Sequence, residues 1–415
     1  VSAARTVLRD PGFLRLWTGT TASGLATWAL PFVLGLGVVQ GTLPAVELGL
    51  ALGVRTAGFL AAMPAGGVLA DRYPRRATVG WSGAVAAAGS AGTAIALTDA
   101  GGLVLLLAGC AMAGIGQGAC RPAFQALVAE IVVDDGRRQE ANAAVTFAVR
   151  GTTLFAPVLT ALAATVVPVS GICWGIAGLW ALVAVAVAVV GTGAGAGAHR
   201  PVATEARPGF VAEFVEGLAE ARRHPWFLAG LGALTAVIAT GYSATGVALP
   251  LVSSETYGGS TVLAAALTGY TAGALAGAVI VARWRPVARG RVALAGLALY
   301  AVAPLSLLTP LPVWVVVGAY VVCGVGIELF NVPWFTAVQR EVDPAKLARV
   351  SSLDFLLSYG LAPLGLALIA PAIEVFGLQP VLLVCAAVCL AGPALAALAP
   401  GARRFTASTP PRRES

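Results

Sequence analysis

The sequence predicts an all-α integral membrane protein of twelve transmembrane helices arranged as two six-helix halves. Three observations carry that reading. The 415 residues are 58% hydrophobic and only 11% charged, against roughly 25% charged in a soluble domain, so a polar surface for a large water-soluble core cannot be built. Apolar stretches of the length needed to cross a bilayer recur along the whole chain, and mean hydropathy is +0.86. The basic residues gather on alternate joints between those stretches.

Taken in order, the apolar segments fall at 14–38, 46–70, 77–98, 101–125, 141–165 and 170–191, then 227–251, 261–282, 291–309, 312–337, 350–371 and 378–399. Pro31, Pro64, Pro157, Pro304 and Pro363 lie inside them. Such kinks are tolerated in a membrane bundle, where neighbouring helices satisfy the freed carbonyls. The N-terminal "VSAARTVLRDPGFLRLW" runs straight into the first span, without the short apolar stretch and small-residue cleavage site of a signal peptide. No cleavable signal is therefore expected.

All but three of the 26 basic residues lie on one side of this arrangement: before or at the entry of span one, and after spans two, four, six, eight, ten and twelve. The exceptions, Arg55, Arg121 and Arg150, lie within spans and not at the basic-side entry of one. The positive-inside rule then places both termini in the cytoplasm of a multi-pass protein of the cell membrane. The net charge of +7 faces the inner leaflet, so membrane lipids are the expected partners and nucleic acid is not.

Domain boundaries follow the same pattern. Residues 1–191 form a first half and 226–400 a second, with a cytoplasmic linker at 192–225 and a cytoplasmic tail at 401–415. The linker is Gly/Pro-broken at first, and 209–223 reads as a short amphipathic surface helix. The halves echo one another: "RPAFQALVAE" (121–130) and "VPWFTAVQRE" (332–341) align at a constant offset of 211, matching Pro122 with Pro333 and Glu130 with Glu341. A parallel repeat of six spans places a substrate path between halves.

The six cysteines, Cys110, Cys120, Cys173, Cys323, Cys385 and Cys389, all lie in apolar stretches and form no Cys-x-x-Cys. The two histidines, His199 and His224, lie between spans. No metal site or cofactor is expected, since clustered ligands are missing. "GIGQG" (114–118) lies in an apolar helix, without the preceding strand of a dinucleotide fingerprint, and reads as a small-residue packing face. No phosphate-binding Walker loop and no catalytic constellation is present, so an enzyme is not expected.

After span two the chain reads "GVLADRYPRR". Gly67, Asp71, Arg72, Arg75 and Arg76 there resemble the Gly-x-x-x-Asp-Arg-x-Gly-Arg-Arg motif of the major facilitator superfamily of secondary transporters, with Pro74 at the usual glycine. The resemblance covers essentially the whole chain. It implies the major facilitator fold, with Asp71 closing a cytoplasmic gate against span eleven. The equivalent place in the second half has Val281 at the aspartate position, which implies an asymmetric gate. "QALVAEIV", "EANAA" and "VPWFTAVQREVDPAKLARVSSLDF" are similar to an exporter-like branch of multidrug and siderophore exporters. Cys110 and Ala111 stand near the place where proton antiporters of the family often carry a span-four arginine.

The function this implies is secondary active export of a hydrophobic or amphipathic small molecule by proton antiport with alternating access, by a monomer. The alternative is an importer, symporter or facilitator of a metabolite. Ionisable residues inside a bilayer rarely face lipid. Glu328, Asp354 and Glu47 are therefore the candidates for proton coupling, and Arg55, Arg121 and Arg150 the intramembrane cations. Trp28, Phe32, Gln117, Asn331, Trp334 and Tyr359 are the candidates for lining a substrate cavity.

Overall fold

The computed structural model describes residues 9–98, 102–131, 135–188, 218–284, 287–342 and 347–406. The chain divides into two compact units, Val1–Glu205 and Ala206–Ser415.

In the first unit six helices follow one another: α1 (Pro11–Val39), α2 (Ala45–Arg72), α3 (Arg75–Ala96), α4 (Leu103–Ile131), α5 (Asp135–Ala163) and α6 (Val169–Ala188). The start of α1 is written locally. The Asp10 carboxylate accepts from the amides of Gly12 and Phe13 at 2.9 and 3.3 Å, and Pro11 occupies the first helical position, where its missing N–H costs nothing.

The second unit repeats the order with more interruptions. Helix α7 (Pro225–Glu255) passes through a π turn at Ile238–Tyr242. Helix α8 spans Thr261–Arg283. Helix α9 runs Arg289–Ala298, tightens into a 3-10 turn at Leu299–Ala301 and resumes over Val302–Ser306. The tightening precedes Pro304, which has no N–H to offer the preceding turn. Helix α10 spans Val313–Glu341. Helix α11 is broken at Leu361 into Leu347–Gly360 and Ala362–Phe376, so Pro363 opens a new segment and does not kink an existing one. Helix α12 spans Leu378–Ala396.

The same helix pairs pack in each unit: second with fourth, third with fourth, third with sixth, first with fifth and first with sixth. Small residues carry the second–fourth seam. An added Cβ on Gly114 would meet the Arg55 carbonyl oxygen, one on Gly118 the Phe59 oxygen, and one on Gly66 the Cα of Ala119 at 2.5 Å. The "GIGQG" run is thus the face of α4 that lets two backbones touch. In the second unit Gly273 meets the Val321 carbonyl oxygen and Gly324 that of Tyr270.

Among the described residues nine of the twelve helices are long and apolar enough to cross a membrane by composition alone. The other three are α3, α5 and α9. Helix α3 is rich in Gly, Ser and Thr, yet Ser82, Ser90 and Thr93 are buried because each hydroxyl donates to the carbonyl four residues back, at 2.7, 2.8 and 3.0 Å. Helix α5 opens with a charged turn, and α9 is short and interrupted.

One expectation falls outside the described residues and one changes. The surface helix at 209–223 lies outside the described residues except at its end, where 218–221 are helical. The tail does not begin at 401: Ala402 and Phe405 are each 1% exposed. The Phe405 ring is tilted against Trp226 and edge-on to Trp334, with ring centroids 5.3 and 5.5 Å away, and the amide of Gly290 donates to the Arg403 carbonyl at 3.1 Å. An aromatic side chain follows the basic pair and finds an aromatic pocket, which composition alone does not reveal.

Candidate functional site

The charge-rich run after span two proves to be a two-residue joint. Helix α2 ends at Arg72 and α3 begins at Arg75, leaving Tyr73 and Pro74 between them. Pro74 fits because its extended ψ of 123° precedes a helix whose first amides have no partner inside it. The Thr78 hydroxyl reaches back to the Leu69 carbonyl at 3.4 Å and ties the two helix ends together. Gly67, Asp71 and Arg72 occupy the last turns of α2, and Arg75 and Arg76 the first turn of α3, where both are half-buried. The side chains of Asp71, Arg72, Arg121 and Arg150 lie outside the described residues.

At mid-span in the first unit, Arg55 of α2 bridges two neighbours. Its Nη2 donates to the Thr27 carbonyl of α1 at 2.9 Å and to Gln117 Oε1 of α4 at 2.6 Å. An intramembrane guanidinium is thereby held by neutral acceptors within its own half. Gln117 is thus engaged with Arg55. Glu47 is half-exposed in the first turn of α2, where a carboxylate complements the helix N-terminus.

In the second unit Glu328 lies within α10 and is 9% exposed. Opposite it is Gly277 of α8, whose added Cβ would stand 3.1 Å from the Glu328 Cβ. The offset of 211 that relates the two halves carries Gln117 onto Glu328. The same mid-helix position therefore holds an amide in one half and a carboxylic acid in the other. Sequence reading used that offset only for the block at 121–130. Extending it four residues back would have paired the two positions.

Asp354 of α11 is 6% exposed and accepts from Trp334 Nε1 at 3.2 Å. Trp334 is 0% exposed. Its ring stacks on Phe227 and Phe330, each with centroids 5.2 Å away, and meets Trp226 edge-on. The expectation that Trp334 lines a cavity is therefore corrected: it is the centre of an aromatic cluster and presents no face to a ligand in this conformation. Phe32 is also buried, at 3%. Trp28 and Tyr359 are exposed, and Asn331 is half-buried.

Each unit contains a cavity of about 330 Å³. The first lies among α1, α5 and α6, with Leu25, Leu159 and Ile176 in an almost wholly apolar lining. The second is bounded by α8, α9, α10 and the segment after α12. Neither is lined by Trp28, Phe32, Gln117, Asn331, Trp334 or Tyr359. Among the described residues no group of three or more His, Cys, Asp and Glu is placed to hold a metal ion.

The family model of the Major Facilitator Superfamily matches residues 16–362 and, in a second match, residues 231–415. The chain belongs to the major facilitator superfamily. It is a multi-pass integral membrane protein and a non-enzymatic transporter with the major facilitator fold of six plus six helices. Three solved structures show the breadth of that likeness. A point mutant of the peptide transporter POT has 16% identity and a TM-score of 0.74, over 97% of this chain and 100% of that one. A point mutant of the nucleoside transporter NupG has 13% identity and a TM-score of 0.72, over 93% and 99%. An auto-inhibited peptide transporter of the POT family has 13% identity and a TM-score of 0.70, over 94% and 96%. At these identities the likeness is one of fold. No curated protein sequence matches the chain.

Proposed function

We propose that this major facilitator is a secondary exporter of a hydrophobic or amphipathic small molecule, driven by proton antiport through alternating access. The observation that carries the proton step is the burial of Glu328 and Asp354, at 9% and 6% exposure, in a half otherwise built from apolar helices. Carboxyl groups at such positions can take up and release a proton, whereas His224 is in the joint before α7. The resemblance of "ADRYPRR" and "VPWFTAVQREVDPAKLARVSSLDF" to exporter sequences favours outward movement over uptake of a metabolite. Cells expressing the protein should accumulate less of a lipophilic dye than cells without it. Higher accumulation would establish uptake instead.

The one-sided distribution of basic residues supports both termini in the cytoplasm of the cell membrane. Single cysteines introduced at Thr204 and Ser254, in a background stripped of the six native ones, test this. An impermeant thiol reagent applied to intact cells should label Ser254→Cys and spare Thr204→Cys. The opposite pattern would invert the topology.

Asp71 closes the last turn of α2, beside the basic joint, and the gate role that the family motif implies is assigned to it here. Asp71→Asn should leave membrane abundance within about twofold of wild type, as surface and helix-end polar changes commonly do, while efflux falls at least about tenfold. Unchanged efflux at unchanged abundance would remove Asp71 from the gate.

A further inference from the structure

The cavity in the second unit has a composition that transport of a hydrophobic solute does not require. Arg289 at the start of α9, Arg340 near the end of α10 and Arg404 after α12 all line it, and no acidic residue does so among the described residues. The rest of the lining is largely apolar, including Trp284, Val292 and Val332. Trp284 is 50% exposed and directly follows α8, a position where tryptophan marks the boundary between hydrocarbon and headgroups.

The Arg340 side chain and the backbone that carries Arg404 are held in place. Arg340 Nε donates to Glu341 at 2.8 Å and its Nη2 to the Phe405 carbonyl at 3.3 Å. The backbone on both sides of Arg404 is anchored, because the amides of Gly290 and Arg291 donate to the Arg403 carbonyl at 3.1 and 3.4 Å and Phe405 is buried beside two tryptophans. Gly290 permits this staple: an added Cβ would strike the Ala402 carbonyl oxygen. Three cations from three separate stretches of chain are thus gathered on one apolar recess at the end of the helices where basic residues collect. Glu341 offsets part of one of them and lies outside the lining.

We propose that this recess is a binding site for an anionic phospholipid. The headgroup phosphate is held by Arg289, Arg340 and Arg404, and an acyl chain lies along Trp284, Val292 and Val332. A free phosphate would satisfy the guanidinium groups and leave the apolar wall uncovered, whereas a lipid matches both. The assignment is independent of the transported solute and of its direction.

The full-length protein in a neutral detergent provides the test. Retention of phosphatidylglycerol is compared with that of phosphatidylcholine by native mass spectrometry, and thermal unfolding is followed with each lipid and with inorganic phosphate. Phosphatidylglycerol should be retained preferentially and should raise the unfolding midpoint, with inorganic phosphate inert. At about 1 kcal/mol per basic residue near the headgroups, Arg289→Gln or Arg404→Gln should weaken retention about fivefold, and the pair together about thirtyfold. The corresponding pair of lysine substitutions keeps the charge and should keep the preference, which separates loss of the site from loss of the fold. Equal retention of the two lipids by wild type would overturn the proposal, as would phosphatidylglycerol binding that the double glutamine variant does not weaken. Protection by inorganic phosphate equal to that by phosphatidylglycerol would overturn the lipid assignment in favour of a soluble anion.

Discussion

Proteoliposomes carrying Glu328→Gln are expected to lose accumulation of substrate against its gradient while continuing to exchange it by counterflow. The amide is nearly isosteric with the acid, so the close approach of α8 at Gly277 is preserved and only titration is removed. One pH unit across the membrane is worth about 1.4 kcal/mol, enough for about tenfold accumulation in a one-for-one exchange. The variant should instead equilibrate to a ratio of about 1 under the same imposed gradient. Asp354→Asn is the companion. Its side-chain oxygen can still accept from Trp334 Nε1, as Asp354 does at 3.2 Å, so the aromatic cluster should survive. If the acids serve only to fix helix packing, the amide variants will instead be scarce in the membrane, since disturbing a buried polar pairing is costly. Abundance and pH-driven transport measured together separate the two roles. Both variants pumping as wild type would remove both residues from coupling.

The largest structural effect is expected from Gly114→Leu in the first half and Gly324→Leu in the second. Each added Cβ would run into a main-chain oxygen of the facing helix, that of Arg55 in one case and Tyr270 in the other. A flexible side chain could swing aside, but a helical carbonyl cannot move without breaking the hydrogen-bond ladder on which a membrane helix depends. Overpacking of an ordinary core costs about 1–3 kcal/mol, and a backbone collision belongs at or above the upper end. Folded protein in the membrane should therefore fall by more than about tenfold. Gly114→Leu has a second consequence, because pushing α2 away also strains the bond from Arg55 to Gln117. Gly318→Leu in α10 and Gly175→Leu in α6 are the controls, since an added Cβ there meets nothing within 4 Å. Equal abundance of all four variants would show that the seams between second and fourth helices do not limit stability.

Much of this protein was legible from sequence because a membrane span is a local property. A helix in hydrocarbon satisfies its own backbone, so some twenty apolar residues specify a crossing without reference to any partner. The twelve spans were found in that way, including α3, α5 and α9, whose composition is weak. The seam glycines were partly legible too, since "GIGQG" in a greasy helix has few other uses. The direction in which a side chain points was not. In a soluble helix an apolar stripe marks the inward face, but lipid and protein core are equally apolar, and α4 and α10 have no single apolar stripe. Trp334 and Tyr359 therefore read alike as cavity candidates. Only packing makes one the fully buried hub of an aromatic cluster and leaves the other 38% exposed. Arg55 was visible as a charge at mid-depth, but its acceptors on α1 and α4 lie 28 and 62 residues away along the chain, and no spacing rule links them. The docking of Phe405 against Trp226 and Trp334 depends likewise on neighbours distant in sequence. Backbone satisfaction and the gathering of basic residues on alternate joints were determined by the sequence alone. The inward faces, the polar partners and the burial of Ala402 and Phe405 were decided by the tertiary structure, because in a bilayer the hydrophobic effect no longer separates inside from outside.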